Sequence, residues 1–209
     1  MIIAVDGPTA SGKGTIAKAL AAHFGLPHLD TGLLYRAVGR QCALNGGNPD
    51  NPADALAACA FADTLLDDPD LRSEESGGLA SRVSIHPDVR KALYERQRAF
   101  ATQPGGAVLD GRDIASVIAP EAEAKLFVTA SVDARAQRRF LEMQEQDRAV
   151  TLDEIAADLA ARDERDSKRK DAPLVVAPGA LVIDTSDLKR EEAIAAAIAA
   201  VDALVQSGD

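Results

Sequence analysis

Four short apolar runs recur along the chain, at residues 2–5, 107–109, 125–129 and 180–183. A fifth, weaker candidate is the tetrapeptide PHLD at residues 27–30. Short apolar runs bounded by turn residues are typical of buried strands in a parallel sheet. Most of these runs end at or lead into an aspartate, so the predicted strands present polar side chains at their carboxyl ends.

Segments of helical composition separate the runs. The first, residues 15–24, repeats its apolar side chains with a period near 3.6. Further helices are predicted at residues 33–44, 53–66, 87–101, 132–146 and 189–205. Strands that alternate with helices predict a right-handed, doubly wound α/β sheet, whose ligands lie at the carboxyl ends of the strands.

Two segments fit this alternation poorly. Residues 46–80 have loop-like composition around one alanine-rich helix. Residues 147–172 begin with Thr151 and Glu154 at capping-box spacing and continue as a helix to about Lys170, before Pro173. We interpret both segments as excursions from the core that could close over a bound ligand.

The octapeptide GPTASGKG, residues 7–14, lies between the first predicted strand and the first predicted helix. That order is the context in which a phosphate-binding P-loop forms; a plain glycine turn is the alternative. A polyphosphate needs several backbone N–H groups in one concavity, and the helix N-terminus adds a positive dipole. Glycines 7, 12 and 14 permit the close approach, and Lys13 supplies a charge for the β- and γ-phosphates.

The loop departs from the usual G-K-[ST] ending, because Gly14 follows Lys13 and the hydroxyl comes at Thr15. A G-K-G-T ending resembles the nucleoside monophosphate kinases more than the GTPases. A GTPase also needs an N/T-K-x-D guanine motif, and the sequence has none. Another small P-loop kinase, of the shikimate or gluconate type, and a nucleotide-binding protein without turnover stay open as alternatives.

Composition narrows the class of partner. The chain has 209 residues, 46% of them hydrophobic, with a formal net charge of −10 at pH 7. An acidic chain argues against a nucleic-acid polymer as partner, and no apolar stretch is long enough for a membrane span. Two cysteines without metal-like spacing are expected to be reduced thiols. A cytoplasmic protein is expected.

Three polar clusters carry further candidate chemistry. In DGRD, residues 110–113, Asp110 has the position of a Walker-B acid that holds magnesium directly or through water. In RDERDSKR, residues 162–169, arginines at i and i+7, with Arg165 or Asp166 between them, form one helix face. Such a face binds phosphates or is laced by ion pairs. The cluster DTGLLYR, residues 30–36, reads alone as a helix cap with a packed tyrosine and a solvated arginine.

Taken together, these motifs resemble bacterial cytidylate kinases (CMP kinases). The resemblance rests on DGPTASGKGT, LDTGLLYR, ASRVSIHPDVRKALYERQRAF, LDGRDIASVIAP and RDERDSKRKDAPL, which follow in order across most of the chain. It implies the nucleoside monophosphate kinase fold, with a five-stranded parallel core, a nucleotide-binding insert and a lid. We place the core at about 1–45, 87–146 and 173–209, a shortened insert at about 46–86 and a helical lid at about 147–172.

The resemblance implies transfer of a phosphoryl group from ATP to CMP or dCMP, with Mg²⁺, by a protein expected to be a monomer. It assigns ATP to the phosphate loop: Gly7, Pro8, Thr9, Ala10, Ser11, Gly12, Lys13, Gly14 and Thr15. The motif SVDARAQRR, residues 131–139, adds three arginines that we also assign to ATP, with a solvated helix face as the alternative: Arg135, Arg138 and Arg139. The magnesium ligands would be Thr15 and Asp110.

For CMP, the resemblance assigns the surroundings of the phosphate and ribose to Thr31, Tyr35 and Arg36. It assigns the cytosine base to Ser81, Arg90 and Asp113. The remaining contacts are Arg112 and Arg162 for phosphate, Asp166 for the ribose hydroxyls and Arg169 for both. Lys13, Arg112, Arg162 and Arg169 are expected to be catalytic, because they would offset charge on the transferring group.

Overall fold

The structure, a computed structural model, describes residues 1–144 and 150–207. The chain divides into two compact units. The first combines Met1–Leu29 with Ala101–Asp209, and the second is Asp30–Phe100. Among the described residues, no helix combines the length and the apolar character needed to cross a membrane.

A five-stranded parallel sheet has the strand order β2-β3-β1-β4-β5. The strands are β1 (Ile2–Asp6), β2 (His28–Asp30), β3 (Ala107–Gly111), β4 (Ala124–Thr129) and β5 (Leu181–Asp184). In the register, Asp6 lies opposite Gly111, so the ends of β1 and β3 are level. The predicted doubly wound sheet is confirmed, and all five predicted strands are present within one or two residues of their predicted bounds.

The helices of the first unit include α1 (Lys13–Phe24), α6 (Val132–Gln144), α7 (Leu152–Lys168) and α8 (Arg190–Ser207), and α5 (Pro87–Ala101) ends at the boundary between the units. Apolar side chains of α1 and α8 join those of the sheet in one core, which includes Ile3, Val5, Ile16, Leu20 and Leu126. A short π-helical turn, Ile114–Ile118, follows β3 and was not predicted. The predicted segment 132–146 extends beyond α6 into residues outside the described ones.

The predicted capping box of α7 is confirmed. Thr151 Oγ1 accepts the N–H of Glu154 at 3.2 Å, and Glu154 Oε2 accepts the N–H of Thr151 at 2.9 Å. The helix ends at Lys168, two residues before its predicted end. Residues 147–149 of the predicted lid lie outside the described residues.

The second unit contains α2 (Thr31–Leu44), α3 (Pro52–Ala57) and α4 (Glu74–Val83), with 3₁₀ turns at Asp63–Asp67 and Pro69–Arg72. The predicted helix 53–66 is therefore too long, and the prediction of a single helix within 46–80 is wrong. The sequence EESGG at the start of α4 does not predict a helix, because paired glycines usually break helices. Packing overrides that tendency: α4 comes so close to α2 that a Cβ on Gly39 would lie 2.7 Å from the Cβ of Leu79.

Candidate functional site

The glycine-rich loop begins directly after β1, where the space for side chains is very small. A Cβ on Gly7 would lie 2.0 Å from the carbonyl oxygen of Val128, so no other residue fits there. Gly12, with φ of 87°, is the N-cap of α1 and takes the left-handed conformation. Ala10 also has a positive φ, of 61°. The loop thus has the backbone shape that directs N–H groups toward an anion at the start of a helix.

Two side chains of the loop are suited to an anionic ligand. The Lys13 ammonium donates to the carbonyl of Pro8 at 3.2 Å, which keeps its charge over the loop. The hydroxyl of Ser11 is fully buried and has no hydrogen-bond partner among the described residues. A buried hydroxyl without a partner is uncommon in folded proteins, and here it belongs to the same loop.

A cavity of about 480 Å³ adjoins the loop in the first unit. Its volume lies within the range of about 300–1,000 Å³ that is usual for small-molecule sites. The lining includes loop residues 10–15, Arg138, Arg139 and Thr185. Arg138 donates to Thr185 Oγ1 at 3.1 Å and also to the carbonyl of Thr185. Two of the three arginines predicted for ATP therefore lie on this cavity.

The third arginine, Arg135, does not line the cavity. Its buried guanidinium donates to the carbonyl oxygens of Ala130 and Thr9, at 3.0 and 3.1 Å, and pairs with Asp163 of α7. The same loop residue, Thr9, binds a second guanidinium through its hydroxyl, since Arg112 lies 2.6 Å from Thr9 Oγ1. Arginines from two elements thus hold one residue of the phosphate loop.

Arg112 also connects the loop to the predicted arginine face of α7. Its Nε donates to Asp166 Oδ2 at 2.7 Å. Burial opposes ionisation of Asp166, but the charges of Arg112 and Arg169 outweigh it and hold the pKa of this carboxyl below its usual value. Asp166 and Arg162 are both buried, whereas Arg165 is exposed. Of the two residues left open for the middle of this face, the structure selects Asp166.

Asp110 lies at the end of β3 and is almost fully buried. A Cβ on Gly14 would lie 3.9 Å from Asp110 Oδ1, so the carboxylate faces the backbone at the start of α1. Its other oxygen, Oδ2, lies 2.8 Å from Nε2 of His28. The sequence analysis did not predict this contact. The two residues are 82 positions apart, and no local pattern relates them.

Asp113 is also buried, in the turn that joins β3 to the π-helical turn. Its backbone carbonyl accepts the N–H groups of Val117 and Ile118, at 2.9 and 3.2 Å. The next two N–H groups, of Ile114 and Ala115, donate to the carboxylate of Asp6, each at 2.8 Å. No prediction from sequence gave Asp6 this role.

The second unit carries the other residues predicted for CMP. Thr31 and Tyr35 are buried on α2, and the Arg90 guanidinium lies 5.6 Å from the centre of the Tyr35 ring. Arg36 donates to the carbonyl oxygens of residues 71 and 73, at 2.7 and 2.9 Å. The hydroxyl of Ser81 is buried and has no hydrogen-bond partner among the described residues. Arg36 is therefore not the solvated side chain that its motif suggests when read alone.

Comparison with known proteins agrees with this geometry. A TM-score of 0.56 relates the fold to the crystal structure of an uncharacterized protein from Eubacterium ventriosum, at 15% identity over 97% of this chain and 98% of that one. The chain is 54% identical to the cytidylate kinase of Azorhizobium caulinodans over 97% of its length and 98% of that protein. It is 53% identical to that of Xanthobacter autotrophicus, with the same coverage. The family model for cytidylate kinase matches residues 3–203, and the chain belongs to the cytidylate kinase family.

Proposed function

We propose that the protein transfers the γ-phosphoryl group of ATP to CMP or dCMP, and so forms ADP and CDP or dCDP. Family membership carries this proposal, because curated cytidylate kinases share about half of their residues with this chain over nearly its full length. The phosphate loop and the arginines around it supply the chemistry that a transfer between two anions needs.

ATP is proposed to bind in the cavity beside the phosphate loop. The loop backbone would hold the β- and γ-phosphates, and the unpartnered Ser11 hydroxyl would gain an acceptor there. Arg138 and Arg139 line the same cavity and would offset further negative charge. Arg135 stays assigned to the donor side, and its contact with the Thr9 carbonyl supports a role through the loop.

The donor set near the loop suits magnesium. Asp110 offers a carboxylate and Thr15 a hydroxyl, and hard cations prefer oxygen ligands. Among the described residues, no three His, Cys, Asp or Glu side chains form a metal-binding group. Magnesium keeps several waters and needs few protein ligands, so one carboxylate beside the bound phosphates is sufficient. When bound, the ion would neutralise charge on the phosphate oxygens.

We propose that cytosine is recognised by Asp113, Arg90 and Ser81. Cytosine presents an amino donor beside a ring-nitrogen acceptor, and uracil reverses the two. A carboxylate only accepts and a guanidinium only donates, so Asp113 and Arg90 match cytosine and mismatch uracil. The unpartnered hydroxyl of Ser81 supports this assignment, since a ligand would supply its missing partner. Thr31, Tyr35 and Arg36 are proposed to surround the phosphate and ribose.

Lys13, Arg112, Arg162 and Arg169 are proposed to stabilise the charge of the transferring group. The acceptor is a phosphate oxygen that is already ionised at neutral pH, so the reaction needs no general base. Catalysis then rests on alignment and on electrostatic stabilisation. Arg112 pairs with Asp166 and donates to the hydroxyl of Thr9, and these two contacts keep its guanidinium beside the phosphate loop.

The division into a core, an insert (about 46–86) and a lid (about 147–172) belongs to the same proposal. The segment of the proposed insert lies within the second unit, and α7 of the proposed lid within the first. Closure of the lid would exclude water and so prevent hydrolysis of ATP. We further propose a cytoplasmic monomer that acts on free nucleotides, without a membrane or a nucleic-acid polymer as partner.

A coupled assay of ADP release tests the proposal with CMP, dCMP, UMP, AMP and shikimate as acceptors. We expect CMP or dCMP to give the highest kcat/KM. A different preferred acceptor would overturn the assignment, and ATP binding without turnover of any acceptor would favour a nucleotide-binding protein.

A further inference from the structure

A buried carboxylate directly before the phosphate loop has no part in the chemistry described above. Asp6 is the last residue of β1 and is 2% exposed. Its two oxygens accept different backbone donors: Oδ1 accepts the N–H of Ile114, and Oδ2 accepts the N–H of Ala115, each at 2.8 Å. Asp6 thus closes a contact across 108 residues of sequence.

The two donors need this carboxylate. They are the first N–H groups of the π-helical turn Ile114–Ile118, and the first N–H groups of a helical turn have no partner within it. Ile114 and Ala115 are buried at 0% and 3% exposure, so water does not replace the missing acceptor. An unpaired N–H in such a place is costly, which makes a shift of the turn the expected result of losing Asp6.

Asp113 begins this turn. Its φ of −145° and ψ of 25° lie outside the helical region, and its carbonyl accepts N–H groups from the far end of the turn. Its position therefore depends on a turn whose first two N–H groups donate to the carboxylate of Asp6. Asp6 also precedes Gly7, so the same residue joins the phosphate loop to the turn.

We infer that Asp6 is a positioning residue for the choice of base: by holding the N–H groups of Ile114 and Ala115, it fixes the turn that presents Asp113. The inference rests on the proposed function, in which Asp113 recognises cytosine. Asp6 itself touches neither nucleotide in this assignment. Its carboxylate is needed because one group must accept two N–H bonds that point at two different oxygens.

Asp6→Asn tests the inference with almost no change in side-chain volume. An amide has one oxygen, so one N–H would face the NH₂ group and the turn would shift. We expect kcat/KM for CMP to fall and the CMP-to-UMP ratio to narrow by about tenfold, with a smaller change in KM for ATP. Amide signals of Ile114 and Ala115 should move in NMR spectra of the ligand-free protein.

Glu123→Gln is the matched control. Glu123 Oε2 accepts the N–H of Ile2 at 2.7 Å, so it is a carboxylate that holds backbone at the opposite end of β1. This variant should keep the CMP-to-UMP ratio of the wild type. If Asp6→Asn loses rate but keeps the CMP-to-UMP ratio of the wild type, the inference is wrong and Asp6 is a structural residue only.

The amide signals separate failure of the inference from failure of the proposed function. If the signals of Ile114 and Ala115 stay in place in Asp6→Asn, the carboxylate does not hold the turn and the inference is wrong. If the signals move and the wild type prefers another acceptor over CMP, the proposed function is wrong, but Asp6 still holds the turn. Should Asp6→Asn not fold, Asp6→Ser supplies one small acceptor, and the same two readouts apply to it.

Discussion

Asp6→Asn also measures how strongly burial opposes the ionisation of this carboxylate. Burial is the largest effect on Asp6 and raises its pKa from 3.8 to about 7. The two backbone N–H groups and Lys13 act in the opposite direction, and the neighbouring charge of Asp113 acts with burial. An asparagine at this position has no proton to lose, so the variant removes this titration and leaves the other groups in place.

The sign and size of the effect follow from proton linkage. Because the folded protein binds the Asp6 proton more tightly than the unfolded chain, the contribution of Asp6 to stability is fully present below pH 3.8. It is lost as the pH rises through about 7. One pKa unit corresponds to about 1.4 kcal/mol, so the interval from 3.8 to about 7 corresponds to about 4 kcal/mol of unfolding free energy.

Urea unfolding of the wild type and Asp6→Asn at pH 5 and pH 8 is the assay. Most of the interval between 3.8 and about 7 lies between these two pH values. From pH 5 to pH 8, the unfolding free energy of the wild type should therefore fall by about 2–3 kcal/mol relative to that of the variant. Glu123→Gln, whose carboxylate is on the exposed surface, should not reproduce this change. If the difference in unfolding free energy between the wild type and Asp6→Asn is the same at pH 5 and pH 8 within about 0.5 kcal/mol, the raised pKa of Asp6 is wrong.

Three further predictions concern the proposed reaction. Lys13→Met should fold normally and lose about 10²-fold or more in kcat, because the phosphate charge goes unmatched; a near-normal kcat would remove the phosphate-loop assignment. Arg162→Ala and Arg169→Ala should each raise KM for CMP and lower kcat in steady-state assays, whereas Lys168→Ala, whose side chain is exposed, should change neither value. If both arginine variants keep the wild-type profile, the arginines of this segment serve ion pairing and do not bind phosphate. Asp113→Asn should narrow the ratio of kcat/KM for CMP over UMP, since an amide can turn its NH₂ group toward the uracil oxygen, and a fixed ratio would mean that Asp113 does not recognise the base.

The sheet was predictable because each strand is a compact apolar run that needs no distant partner to be recognised. The helix at Pro87–Ala101 was predicted to the residue, since Pro87 suits a first helical turn and apolar periodicity covers the rest. For α4, the local sequence predicted the wrong structure. The Gly77-Gly78 pair indicated a loop, and the close approach of α2 at Gly39 gives that segment its helical packing.

The site residues that could be predicted from the sequence also belong to local motifs, and those that could not be predicted have distant partners. Lys13 and Arg112 were found because their motifs are local and their chemistry follows from a short stretch of sequence. Asp6 and His28 were not, because each acts on a partner about a hundred residues away. Such pairs come into contact only when the parallel sheet brings strands that are distant in sequence side by side, and one sequence alone does not give that alignment.

The adjacent strands β1 and β3 end in two buried aspartates whose roles differ for a physical reason. Asp110 meets an imidazole nitrogen at 2.8 Å and faces the backbone of Gly14, so its surroundings leave carboxylate oxygen directed at the phosphate loop. Asp6 meets two backbone N–H groups, which use both of its oxygens. Because each oxygen of Asp6 is directed at an N–H group of the turn, this carboxylate serves the turn and is not directed at the phosphate loop. The hydrogen bonds, rather than the residue type or its place at a strand end, therefore separate the metal candidate from the positioning residue.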